Sequence, residues 1–184
     1  MSPVNKSPDR IQRMFGEIAP RYDFLNHLLS MGIDRRWRRK TTRLVPPGGG
    51  PVLDVCSGTG DLALAYWRAG GQAIRVVGAD FARPMLRIAK HKARRAAAER
   101  HVAFLQADTQ RLPFSASTFE VVAVGFGLRN LSDPDRGLRE MVRVCRAGGR
   151  VAVLEFSIPA AGPIRMIYQA YFRYLLPRVG QALA

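Results

Sequence analysis

Residues 54–61 read Asp54-Val55-Cys56-Ser57-Gly58-Thr59-Gly60-Asp61, and a further acid, Asp80, stands 20 residues beyond Gly60. The apolar run that ends at Asp54 reads as a buried strand, and residues 62–67 read as the start of a helix. Gly58 and Gly60 permit a sharp turn between the two, and a close approach of ligand to backbone. Asp80 ends the next apolar run, residues 74–79, at the distance where a nucleotide-binding α/β unit places a carboxylate for ribose hydroxyls.

Two cofactors compete for this pattern. Gly58-Thr59-Gly60-Asp61-Leu62-Ala63 fits the dinucleotide fingerprint G-x-G-x-x-A. A dinucleotide, however, brings an anionic pyrophosphate to the helix N-terminus, where Asp61 and the nearby Asp54 would repel it. S-adenosylmethionine carries a sulfonium and an ammonium against one carboxylate, so acids suit it. The glycines alone are equally a plain strand-to-helix junction with Asp61 capping the helix. Asp80 at its spacing favours S-adenosylmethionine.

Those residues need a frame. Strand candidates at 52–56, 74–79, 102–106, 121–125 and 151–155 alternate with helical segments near 61–69, 84–99 and 134–146. Alternation with apolar strands predicts an α/β fold, a mostly parallel sheet with helices on both faces. Residues 8–45 read as helices interrupted at Pro20, Pro46-Pro47-Gly48-Gly49-Gly50 as a hinge-like break, and 163–177 as an amphipathic helix rich in tyrosine. Ligands of such sheets bind beyond the carboxyl ends of the strands. The five ends deliver Asp54 to Gly60; Asp80 with Met85; Asp108 and Thr109; Gly125-Phe126-Gly127-Leu128-Arg129-Asn130; and Glu155-Phe156-Ser157. Acids and small polar residues thus gather on one rim.

At 184 residues the chain is one domain's worth,. Its 47% hydrophobic and 23% charged residues are ordinary for a globular protein and argue against disorder,. The polar N-terminus is no signal peptide, and no apolar run approaches a membrane span. Cys56 and Cys145 form neither a disulfide framework nor a zinc spacing, so they read as buried free thiols in a reducing cytoplasm, with no metal site expected. The net charge of +15 is the outlier. It suits nucleic acid, an anionic membrane surface, or solvated helix faces. The cluster within 83–100 reads as a solvated face; Arg35-Arg36-Trp37-Arg38-Arg39-Lys40 is the candidate membrane contact, because it carries a tryptophan.

Three stretches carry a family likeness. Tyr22-Asp23-Phe24-Leu25-Asn26 through Ser30 to Trp37 resembles the pattern Y-D-x-M-N-x-x-[LIVM]-S-x-x-x-H-x-x-W; Phe126-Gly127-Leu128-Arg129-Asn130 is an FGLRN segment; and residues 143–149 with Leu154-Glu155-Phe156-Ser157 match a signature running through strand five. By these the chain resembles the class I adenosylmethionine-dependent methyltransferases with a three-layer Rossmann-like fold. More narrowly, it resembles the demethylmenaquinone and ubiquinone C-methyltransferase family, from about residue 4 to the end. Leu25 stands for methionine, Asp34 for histidine and Arg146-Ala147 for Lys-Pro. The likeness implies one domain with a helical lid over 1–47, a cofactor core over 51–157, and an end that stops short of the family's last two strands. A chain so shortened is expected to leave strand five an open apolar edge that self-associates.

The resemblance also implies roles. Gly58 and Thr59 would contact the methionine end of the cofactor, Asp80 the ribose, and Met85 the adenine face, with Asp54 and Gly60 also in the cofactor site. Asp108 and Thr109 would serve the adenine edge, with Gly125 the pocket wall. Read singly, Met85 is equally a core residue and Asp108 a turn residue. The implied reaction is carbon methylation of a reduced quinone. Arg129 would stabilise a phenolate or orient a water, and Asn130 would hold the same water or hydroxyl. Alternatively, Arg129 pairs with Asp133 or Asp135 and Asn130 caps the next helix. His27 reads as a surface residue, whereas Tyr22, Asp23 and Asn26 shape a lid. The implied partners are a polyprenyl demethylquinol and an anionic membrane surface, with the chain cytoplasmic or on the inner membrane face. Nucleic acid is not expected, and oligomeric state stays open. Asp54-Val55-Cys56 before the glycines is nearer the menaquinone branch than the ubiquinone branch. A nucleic-acid methyltransferase and a non-catalytic partner subunit are the competing functions; where positive charge lies relative to the cofactor mouth separates the first.

Overall fold

The computed structural model describes residues 32–155. In chain order these form α1 (Ile33–Leu44), β1 (Val52–Val55), α2 (Asp61–Ala69), β2 (Val76–Asp80), α3 (Arg83–Arg95), β3 (Val102–Gln106) and β4 (Phe119–Gly125). A short 3-10 turn (Leu128–Asn130), α4 (Pro134–Val144) and β5 (Cys145–Leu154) follow. The five strands make one sheet in the order β3-β2-β1-β4-β5, with every pairing parallel. Strand order reverses beside β1, so a crevice opens at its carboxyl end between β2 and β4. The expected helices over 8–31 and 163–177 fall outside the described residues, as do Tyr22, Asp23, Asn26 and His27.

Alternation along the strands divides the core. Val52, Val76, Val121 and Ala123 face Leu62, Tyr66, Trp67, Leu86 and Ala89, so α2 and α3 cover one face. Leu53, Val55, Val122 and Val124 face Met141 and Val144 of α4 on the other. All four residues of β1 are buried, which explains its unbroken apolar run apart from Asp54,. Each buried valine or leucine contributes roughly 1.5–3 kcal/mol. The helices begin where their sequences direct. Asp133 caps α4 by accepting the Arg136 N–H at 2.9 Å, and prolines stand in the first turns of α3 and α4,.

Three expectations change. β2 starts at Val76 rather than 74, because residues 70–73 complete a turn in which the Trp67 indole donates to the Gln72 carbonyl. β5 starts at Cys145 rather than 151, because α4 runs straight into the strand. Register then jumps from Phe119–Cys145 to Val121–Arg150, which throws residues 146–149 out as a bulge,. The Pro46–Gly50 segment, expected to be hinge-like, is pinned. Glu120 accepts from Gly48 N at 3.0 Å and Gly50 N at 2.7 Å.

Candidate functional site

Seven residues at or just beyond the ends of three strands meet at the crevice. Cys56 and Gly58 come after β1, Asp80 and Phe81 from β2, and Gly125, Phe126 and Gly127 from β4; Met85, Asn130 and Leu131 complete the lining. The cavity they enclose is narrow, about 50 Å³, so a nucleoside enters only when the rim side chains part. Gly58 and Gly60 both hold left-handed backbone, at φ 55° and 81°,. A Cβ on Gly60 would meet the Phe104 ring at 2.7 Å, whereas around Gly58 there is open space. The first glycine of the pair leaves room for a ligand, and the second lets α2 pack on the sheet.

Two buried carboxylates underlie this turn, and they are held differently. Asp80 accepts from Gly58 N and Ala82 N, each at 2.8 Å. Burial raises its pKa, and these backbone N–H groups oppose the rise,. A carboxylate has about four acceptor positions, so Asp80 keeps capacity for hydroxyl donors. Asp54 uses only Oδ2, accepting from the Ser57 hydroxyl at 2.8 Å and Ala63 N at 3.0 Å. Its Oδ1 and the Tyr66 hydroxyl are buried with no hydrogen-bond partner. Burial pushes Asp54 up to about 7.

Over the mouth lies Phe126, itself in left-handed backbone at φ 62°, a strained state for a bulky residue of the kind that collects at functional sites. The Trp37 ring stacks obliquely on it, 6.0 Å between centroids, and the Arg38 guanidinium sits 5.7 Å above its ring. Trp37 is thus half-buried, one part of its ring against the site and the rest beside Arg36 and Lys40 on the surface of α1. Asp34, at the position where the resembled pattern has histidine, is buried and ion-paired to Arg38 one turn on.

The remaining expected site residues divide. Gly58, Asp80, Met85, Gly125 and Asn130 line the cavity, and Asp54 lies beneath it. Thr59 is buried with its hydroxyl 3.3 Å from Lys92 Nζ, directed to α3 and not into the cavity. Thr109 is buried against Cys56, 3.4 Å from Oγ1 to Sγ. Asp108 is exposed and closes a turn by accepting from Gln110 N at 2.9 Å. Arg129 pairs with Glu155 at 2.9 Å, and its backbone N–H also reaches that carboxylate; neither Asp133 nor Asp135 is its partner here. Asn130 does not cap α4, since Asp133 does. Asp61 is ion-paired to Lys92 and lies 3.9 Å from Arg38, so the repulsion expected of it toward a pyrophosphate is largely cancelled. Phe81 and Leu131 were not singled out by sequence, although Phe81 directly follows a strand; Cys56 was read as a buried free thiol and is half-buried in the cavity wall. Burial raises the Cys56 thiol to about 12, which holds it in the protonated form near neutral pH,.

The model of the ubiE/COQ5 methyltransferase family matches residues 4–184. This chain belongs to that family. It is 42% identical over 178 residues to the ubiquinone/menaquinone biosynthesis C-methyltransferase UbiE of Geobacter sulfurreducens, covering 96% of this chain and 70% of that one. It is 47% identical over 168 residues to the demethylmenaquinone methyltransferase of Thermus thermophilus, covering 91% and 75%. Among solved structures, a Methanococcus maripaludis protein proposed to be an S-adenosyl-L-methionine-dependent methyltransferase superposes with a TM-score of 0.72. It is 18% identical, covers 98% of this chain and 78% of its own, and supports the fold. The ubiE/COQ5 chain described here is thus a Rossmann-like methyltransferase whose crevice lies where that architecture binds ligands.

Proposed function

We propose that this chain transfers a methyl group from S-adenosylmethionine to a ring carbon of a polyprenylated demethylquinol, turning demethylmenaquinol into menaquinol. Its family membership and the names of its relatives support the reading. The observation that carries it is Asp80, a buried carboxylate braced by backbone N–H groups across the Gly58 turn at the switch point of the sheet. The cofactor's charges fit the lining, which holds Asp80 and no lysine or arginine among the described residues. Asp80 would take the ribose hydroxyls, Met85 the adenine face, and Gly58, Thr59 and Gly60 the methionine portion through their backbone. Asp54 would supply negative charge beneath the turn, Gly125 the wall, and Asp108 with Thr109 the adenine edge. Bound there, S-adenosylmethionine supplies an electrophilic methyl group.

The chain's own task is to align the ring and raise its electron density. A quinol hydroxyl, with a pKa near ~10 as in tyrosine, must lose its proton for the neighbouring carbon to attack. Asn130, on the cavity rim, would orient that hydroxyl or the water that takes the proton. Arg129, fixed by Glu155, would stabilise the phenolate; its five donors serve both oxygens. Each effect lowers the barrier by roughly 3 kcal/mol. Carbon–methyl bond formation would break the sulfonium S–C bond and release S-adenosylhomocysteine; the methylated carbon then sheds its hydrogen as a proton, which restores the aromatic phenolate, and the oxygen regains a proton to give the quinol. Because the tail dissolves in lipid, the chain would work at the anionic inner face of a membrane, in the cytoplasm. A nucleic-acid substrate fits less well, since no lysine or arginine among the described residues lines the cavity itself. The test is label transfer: with methyl-labelled S-adenosylmethionine and demethylmenaquinol, label is expected in menaquinol. Label in nucleic acid, or in no product, would overturn the reading.

A further inference from the structure

Outside the site, one surface is built from a single sign of charge. Arg35, Arg39 and Arg43 follow one another at four-residue spacing, so they stack along one stripe of α1,. They line a cleft of about 990 Å³ against α2, whose Arg68 faces them. All four are exposed, and none forms an ion pair among the described residues. The carboxylate in the cleft wall, Asp61, is already engaged by Lys92 and Arg38. A second stripe, Arg36, Lys40 and Leu44, runs beside the first, and Ile33 and Leu44 stand exposed at the two ends of the helix. Like charges one turn apart destabilise a helix, so this arrangement costs stability unless anions neutralise it. Around α4 three cations are matched: Arg143 by Glu140, Arg146 by Glu120, Arg139 by Asp133. The exposed Arg83, Arg87, Lys90 and Arg94 of α3 also lack ion pairs among the described residues, but that helix exposes no large apolar side chain beside them, as α1 does with Ile33 and Leu44.

We propose that the outward face of α1, with its cleft toward α2, docks the chain on anionic phospholipid. The arginines take headgroup phosphates bidentately, and Ile33 and Leu44 enter the headgroup boundary. Charge complementarity selects the partner: a bilayer offers many mobile phosphates to long, unpaired side chains and apolar contact to the helix ends at once. The same helix carries Trp37 and Arg38 onto Phe126, and Arg38 also lines the cleft, so docking sets the mouth of the cavity beside the lipid surface. The biological reason for docking rests on the membrane-substrate reading above, but the surface itself is tested separately.

The experiment compares the wild-type chain with R35Q/R39Q/R43Q and with R111Q/R136Q/R139Q, an equal loss of charge on and beside α4 across the sheet. Sedimentation is measured with phosphatidylglycerol-containing and with pure phosphatidylcholine vesicles. Wild type is expected to bind the anionic vesicles and not the neutral ones. At about fivefold per arginine, the α1 variant loses roughly a hundredfold, and high salt removes the difference. The α4 variant is expected to stay within about threefold, because its charges lie beyond a Debye length from the docked surface. Adenosylmethionine titration confirms that both variants are folded. Equal losses in the two variants, an unchanged α1 variant, or RNA displacing the chain from vesicles at equal phosphate concentration would each overturn the proposal. Methylation of a short-tailed, water-soluble demethylquinol tests the substrate reading alone: it survives in the α1 variant if that reading holds, whatever the vesicles show.

Discussion

The cavity at the strand ends and the cleft beside α1 meet where Trp37 and Arg38 contact Phe126, yet their polar groups are held on opposite terms. In the cavity region, groups are fixed by short local bonds before any ligand arrives. Gly58 and Ala82 brace Asp80, and Ser57 and Ala63 brace one oxygen of Asp54. In the cleft, Arg35, Arg39 and Arg43 project without ion-pair partners among the described residues. Preorganised acceptors suit a small ligand of fixed shape, because little ordering entropy remains to be lost. Long mobile cations suit a partner whose own charges move. The net charge of +15 therefore describes the outer helices and says little about the site.

Arg129→Ala draws the boundary most sharply. Turnover with a demethylquinol is expected to fall on the order of ~100-fold. Adenosylmethionine affinity and vesicle binding should each stay within ~3-fold, since a group acting on the transition state leaves cofactor binding alone. Steady-state kinetics beside a cofactor titration decide it, and a matching loss of affinity would make Arg129 a structural part of the cavity.

Asp54 and Asp80 separate the two kinds of carboxylate within the site. The folded state holds Asp54 near 7 against an ordinary 3.8, so between those values the folded chain keeps a proton that the unfolded chain loses. Stability from this group is complete below about pH 4 and lost as pH rises through 7. Asp54→Asn, which stays neutral, is expected to stabilise the ligand-free chain at pH 8 by up to ~4 kcal/mol, at ~1.4 kcal/mol per unit, and to change little at pH 4. It should also weaken adenosylmethionine binding. Thermal melts at the two pH values test the sign, and a variant that is destabilised at pH 8 would show that the Asp54 charge is already compensated.

The smallest effect probes the contact that joins the regions. In a double-mutant cycle of Trp37→Leu and Phe126→Leu, denaturant unfolding should show a coupling of about 0.5–1.5 kcal/mol. Zero coupling would mean that α1 rests on the site without being fastened to it.

What could be read beforehand follows from how local each determinant is. Strand and helix identities came from periodicity and glycine, which act over a few residues, and so did Gly58, Asp80, Met85 and Gly125, placed by the rule that ligands gather at strand ends. Side-chain direction was not legible. Thr59 sits in the same turn as Gly58, yet its hydroxyl goes to Lys92, whose place 33 residues on depends on how α3 packs. Arg129 was weighed against its near neighbours Asp133 and Asp135, but β5 brings Glu155 to it from 26 residues away. Trp37 among five cations reads as a surface anchor, yet the turn after β4 also puts Phe126 against its ring. The early start of β5 was hidden because its bulge contains the glycines that signal a turn.

Calorimetric titration of S-adenosylmethionine into the wild-type chain and Asp80→Ala tests the central claim most directly, namely that the crevice at the ends of β1, β2 and β4 is the cofactor site. Loss of a buried charged hydrogen-bond acceptor removes roughly 1.5–3 kcal/mol. The variant is therefore expected to bind about 10- to 150-fold more weakly, with its thermal unfolding and its vesicle binding intact. An unchanged dissociation constant in a folded Asp80→Ala chain would contradict the claim and move the cofactor elsewhere.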